Sequence, residues 1–351
     1  MKKFYIFYFA IITILLCACF SPWDGDEGNL TINWGNETSG RFVTSIGRTD
    51  TVLINMTGPG ETISQAYRGD TKSASFTVTP GTWAATVKVV ARGKFLEETL
   101  LLMGIEQINV ASGKNTSVEF NLYNAKEVNS WGNLKEAVDK NNEHSDFSKT
   151  NAELFILSGK DFMADDTITI KRRIIIVAED PILIYSEKEA FTDAFFEISG
   201  DNPRIEDAKV AVLTLGLPGM SGNLEFSGKR VETKSALIVV GEGASAPGTL
   251  IMNDGVTLMD NHNTDGNGGG VQILGGTFTM NGGIIRNNSA AIGGGVYVAN
   301  IASARLVGIG GLITENEAKN AGGIFASGKT GYLSLGSGTT IVKNNPNDIG
   351  F

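Results

Sequence analysis

Near the C-terminus an aliphatic residue stands three places before an asparagine four times, in Leu258–Asn261, Ile285–Asn288, Ile313–Asn316 and Ile341–Asn344. The asparagines are 27, 28 and 28 residues apart. Interleaved with them is a Gly-Gly-aliphatic triplet: Gly269-Gly270-Val271, Gly294-Gly295-Val296 and Gly322-Gly323-Ile324. A period between about 20 and 50 residues marks a chain built of stacked units. These units are rich in Gly, Asn, Thr and Val, which disfavour helices, so each is expected to hold short strands. More than half of the 44 glycines fall in residues 241–351, where they suit corners with positive φ.

Stacking has two consequences. Successive coils lie about 4.8 Å apart, so Asn261, Asn288, Asn316 and Asn344 are expected to form an inner structural ladder. Each amide can donate to one neighbour and accept from the other. Asparagine also tolerates the left-handed conformation that corners require. Secondly, if Val271, Val296 and Ile324 face inward with Ile273, Val298 and Ala326, then Gln272, Tyr297 and Phe325 face outward, one above another. Exposed aromatics in a column favour a contact strip; packing beneath the Asn300–Ala304 loop is the alternative.

The pairing of GG-[VI] with aliphatic-x-x-Asn resembles the repeats of chlamydial polymorphic membrane proteins and related spirochaete β-helix proteins over residues 249–351. The resemblance implies a right-handed parallel β-helix of the pectin-lyase-like kind, here assigned to residues 124–351. Two departures are visible. Leu or Ile stands where that family usually has Phe, and no membrane barrel follows before Phe351, so anchoring would need another device. At the start of this region Trp131, Leu134 and Val138 share a helical face, with Asn133 and Glu136 placed as a capping box. Such a helix would cover the open apolar end of the stack.

Residues 29–123 alternate β-branched or apolar runs with Gly58-Pro59-Gly60, Gly69-Asp70, Pro80-Gly81 and Ser112-Gly113 turns. The runs are 30–34, 51–56, 73–78, 83–91, 98–102, 105–110 and 117–123. They predict two packed antiparallel sheets, a β-sandwich. VTPGTWAATVKV and VASGKNTSVEFNL look like immunoglobulin-like or transthyretin-like modules of spirochaete lipoproteins. The overall expectation is thus all-β, with a sandwich followed by a helix-capped parallel β-helix.

Lys2 and Lys3 precede an apolar run from Phe4 to Leu16, broken only by Thr13. It spans roughly 20 Å as a helix, short of the ~30 Å hydrocarbon layer, and reads as a secretory signal over residues 1–18. Leu16-Cys17-Ala18-Cys19 resembles the bacterial lipobox, which implies lipid attachment at Cys19 and a mature chain starting there. More than one acyl chain, palmitate among them, would anchor it stably in the membrane. Ordinary secretory cleavage is the alternative, although Leu16 is bulky for it. Phe20-Ser21-Pro22 lacks the aspartate of inner-membrane retention, so the outer membrane or cell surface is expected. The polar residues of 19–28 suit a short tether.

With 29 basic against 38 acidic residues the net charge is −9, which disfavours nucleic acid. Two histidines (His144, His262) and two cysteines exclude zinc fingers and disulfide scaffolds. Asn261-His262-Asn263-Thr264-Asp265-Gly266 imitates a calcium loop, but Gln272 stands where a bidentate glutamate belongs. Asp254 and Asp260, with Arg286 in the next coil, could serve as the acid pair of a polysaccharide-cleaving enzyme, and solvated decoration of the coil corners is the equal alternative. Both histidines lie in polar stretches expected to be loops, no G-x-S-x-G is present, and Glu187-Lys188-Glu189 reads as a solvated cluster. The expectation is therefore a non-catalytic surface protein for adhesion or display, without metal or cofactor, whose partner is a host protein or glycan. A polysaccharide-binding or polysaccharide-degrading protein is the alternative.

Overall fold

The computed structural model describes residues 27–34, 46–92, 98–143, 152–186, 192–201, 211–220, 222–229, 231–243, 245–328 and 332–351. Cys17, Cys19, His144 and Glu187–Glu189 lie outside the described residues. Strands predominate, and one helix occurs among the described residues.

The N-terminal region contains β1 (Gly28–Asn33), β2 (Thr51–Gly58), β3 (Glu61–Arg68), β4 (Ser73–Val78), β5 (Gly81–Arg92), β6 (Glu98–Val110), β7 (Asn115–Glu119) and β8 (Tyr123–Val128). Two sheets, β4–β1–β7 and β3–β2–β5–β6, face each other across a core. Strand alternation sends Val52, Ile54, Met56, Trp83, Ala85, Val87 and Val89 into that core, each fully buried.

Three expectations need correction. The sheets are not wholly antiparallel, because β1 pairs with β7 in parallel. The runs 98–102 and 105–110 are one strand: Gly104 does not break β6 but admits the backbone of Asn121, whose carbonyl a Cβ would meet at 2.6 Å. Finally, β3 was absent from the expected set. Its residues are exposed or half-exposed throughout, so no buried alternation marks it.

The expected boundary between 123 and 124 falls inside β8. That strand pairs antiparallel with β6 and parallel with β9 (Glu153–Leu157), so one sheet crosses the boundary. A separate apolar cluster of Met103, Ile105, Ala125, Leu154, Ile156, Ile175 and Val177 fills the junction. Lys88 of β5 forms an ion pair with Glu179 beside it.

From β9 onward the pairings are parallel. Seven strands form one face in register: Ile168–Ile170, Phe196–Ile198, Ile238–Val240, Val271–Ile273, Val296–Val298, Ile324–Ala326 and Ile349–Gly350. Two further rows stack on the same rungs, and a short fourth row joins from Glu232–Thr233. The first and third residues of each face strand from Ile168 to Ile324 are fully buried.

Helix α1 (Trp131–Glu143) lies over the first rung. Its cap is Ser130, not Asn133: Ser130 Oγ accepts from Asn133 N at 3.2 Å, one turn earlier than expected. Trp131, Leu134 and Val138 enter the core, where Trp131 packs on Phe195 and Phe196. Asn142 ties the helix to the first rung through Thr169 O at 2.8 Å and Lys171 N at 3.1 Å. The last rung has no such cover among the described residues and leaves Leu335, Val342 and Phe351 exposed.

Candidate functional site

The face strands build an outward column. Because the second residue of each points away from the core, Thr169, Glu197, Val239, Gln272, Tyr297, Phe325 and Gly350 follow one another in register. Tyr297 and Phe325 stack with ring centroids 6.0 Å apart and planes 6° from parallel. Both rings are half-exposed. Tyr297 also leans against the main core, while a Cβ on Gly350 would come within 3.3 Å of Phe325. Gln272 stands one rung above the pair. At the other end, burial first, then Glu242 and Asp193, push the Glu197 carboxyl above the usual range. The column therefore runs from a carboxylate that is reluctant to ionise to a stacked aromatic pair.

Behind it, the asparagines are buried and joined. Asn261 N donates to Asn288 Oδ1 at 3.1 Å, Asn288 N to Asn316 Oδ1 at 3.0 Å, and Asn316 N to Asn344 Oδ1 at 3.0 Å. Side-chain amides run in the same direction, with Asn288 Nδ2 to Asn316 Oδ1 at 3.1 Å and Asn316 Nδ2 to Asn344 Oδ1 at 3.0 Å. Two termini were missed in the sequence: Thr233 Oγ1 donates to Asn261, and Asp348 Oδ1 accepts from Asn344 N and Nδ2. With their hydrogen-bonding capacity spent inside the stack, these amides have little left for a ligand.

The corner chemistry differs from expectation. Positive φ falls not on the ladder asparagines but on the residue before each: Asp260, Asn287, Glu315 and Lys343. Nor do the Gly-Gly pairs need positive φ. That conformation sits one residue earlier, at Gly268, Gly293 and Ala321. The pairs serve close approach instead. A Cβ on Gly295 would lie 2.6 Å from Gly323 O and 3.1 Å from Asn316 Nδ2, and one on Gly323 only 2.2 Å from Asp348 O.

The remaining sequence candidates do not converge. Asp254 and Asp260 stand at opposite ends of the strand Val256–Met259, and Asp254 Oδ1 accepts from Gly283 N at 3.3 Å. Arg286 Nη2 turns to Met259 Sδ at 3.0 Å. In the calcium-like segment Asn261 belongs to the ladder, and Asn263 closes a turn by accepting from Gly266 N at 3.1 Å. No cluster of three His, Cys, Asp or Glu suited to a metal occurs among the described residues.

His262 lies in a strand, His262–Asn267, rather than in a loop. Register brings it beside Ser289, with Nδ1 and Oγ 2.5 Å apart. Glu232 flanks His262 on the previous rung but accepts from Thr264 Oγ1 at 3.1 Å, while Glu317 lies beyond Ser289 rather than beyond the imidazole. The row is a polar surface ladder, without a carboxylate to orient the histidine as a base. No protein-family profile, curated protein or solved structure matches the chain.

Proposed function

We propose that this chain is a lipid-anchored bacterial surface protein, at the outer membrane or cell surface, that serves adhesion or display without catalysis. In this reading residues 29–123 form an immunoglobulin- or transthyretin-like β-sandwich, and residues 124–351 a right-handed parallel β-helix resembling chlamydial polymorphic membrane protein repeats. The observation that carries it is the stacked Tyr297–Phe325 pair, held half-exposed on an in-register column. Aromatic side chains that stack on each other lose little further side-chain entropy on binding, which suits contact with a host protein or glycan. Anchoring rests on the lipobox-like Leu16–Cys19; no helix among the described residues is long and apolar enough to cross a membrane.

The test pairs two changes. Tyr297→Ser with Phe325→Ser is expected to reduce adherence to host cells or matrix at nearly unchanged melting temperature. A large fall in melting temperature would make the rings core residues and end the contact-strip reading. Separately, Cys19→Ala is expected to release the protein from the membrane or block its processing, and normal retention would refute the lipid anchor.

A further inference from the structure

A cleft of about 710 Å³ lies where the N-terminal sheet meets the stack. One wall is the outer face of β2, β5 and β6, where Asn55 sits opposite Thr86, and Thr57, Ala84 and Gln107 form the neighbouring row. The other wall is a corner of the stack carrying Leu217, Met220, Asn223 and Asp254. Its base is rigid. Asn253 is buried, donates to Gly216 O at 2.9 Å and accepts from Asn281 Nδ2 at 2.9 Å, a second amide pair one repeat apart. The junction core and the approach of Gly219 to β5 and β6 hold the two walls in place.

We infer that this cleft binds a segment of a neutral saccharide, a role separate from that of the aromatic column. The lining holds amides and hydroxyls, one carboxylate and no cation, so it lacks the charged partner that phosphate, sulfate or uronate groups favour. Lys88, two residues along β5 from Thr86, is engaged by Glu179. Amides both donate and accept, which matches neighbouring sugar hydroxyls, and Met220, Leu217 and Ala84 supply an apolar surface for ring C–H groups. Among the described residues none takes up the side chains of Thr57, Thr86, Gln107 or Asn223, so they are available to a ligand. An extended peptide fits less well. β2 is already paired with β3 and β5, and β5 with β2 and β6, so the wall has no strand edge to extend. The volume falls within the ~300–1,000 Å³ of small-ligand sites.

The experiment titrates the whole chain by calorimetry with maltotetraose, cellotetraose, chitotetraose and β-1,4-galactotetraose, using tetragalacturonate as the charged counterpart. At least one neutral probe is expected to bind with Kd below about 1 mM, and tetragalacturonate is not. Thr86→Ala with Gln107→Ala should weaken binding about tenfold, and Ala84→Trp, which fills the cleft, should abolish it. Tyr297→Ser with Phe325→Ser should leave it unchanged, so this site and the contact column can fail separately. Melting temperatures check that each variant folds; if Ala84→Trp unfolds the chain, the Thr86/Gln107 change decides alone. The proposal is overturned if no neutral probe binds, if tetragalacturonate binds equally well, or if the cleft variants bind like the parent.

Discussion

The early and late rungs share one backbone geometry but are held together differently. Early rungs are filled by rings: Phe195, Phe196 and Phe226 are fully buried, and Trp131 closes over them. Late rungs keep a slimmer corner, with Gly-Gly pairs against the next backbone and a column of buried amides behind. The contrast teaches that a stacked corner can be sealed by apolar volume or by a hydrogen-bond ladder, and that only the ladder imposes one residue type at one period.

The largest effect should come from the ring-filled end. Phe226→Ala leaves a cavity beside Phe195 and Phe196 and is expected to cost about 3–5 kcal/mol in chemical denaturation. A smaller loss would mean that the early rungs collapse around the gap. In the ladder, Asn316→Ala removes the acceptor of the Asn288 backbone N–H and one of the two acceptors of Asn288 Nδ2, an expected loss of about 1–3 kcal/mol. The control, Asn267→Ala, should cost under ~0.5 kcal/mol. Equal losses from the two would remove the distinction between a ladder asparagine and a half-buried strand asparagine outside the ladder.

The glycine corners sharpen the comparison further. Gly295→Ala drives a methyl group against Gly323 O and should cost about 1–3 kcal/mol. Ala321→Gly, at φ +53°, should be within about 1 kcal/mol of neutral, because relief of backbone strain offsets the added chain entropy. The opposite ranking would assign the pairs to backbone conformation after all. The smallest effect belongs to Glu197. Its raised pKa means that the fold favours the protonated form, a contribution present below the ordinary carboxylate range and lost as pH rises through the raised value. Glu197→Gln is therefore expected to raise the melting temperature at pH 7 by under ~2 °C, with the gain vanishing in acid. A gain that persists at low pH would point to packing instead of charge.

How much was legible follows the same division. The late period can be read because backbone approach admits only glycine at 294–295 and 322–323, and the amide column repeats asparagine. Early rungs carry no such signature, since Ile, Leu and Phe can exchange within an apolar interior. Strand β3 is hard to read because it buries no residue fully, with only Ile63 and Tyr67 leaning on the core, and β6 reads as two strands because a glycine making room for Asn121 looks like a turn.

By itself the sequence determined the β-rich character, the period of the late rungs and the alternation that sends Val271, Val296 and Ile324 inward. These depend on neighbours a few residues apart or on one repeated spacing. Tertiary structure decided the rest: the passage of one sheet through β8, the pairing of His262 with Ser289, the ladder ends at Thr233 and Asp348, and the cleft between Thr86 and Asp254. Each joins residues whose separation is set by how rungs and sheets stack, and no local propensity records that offset.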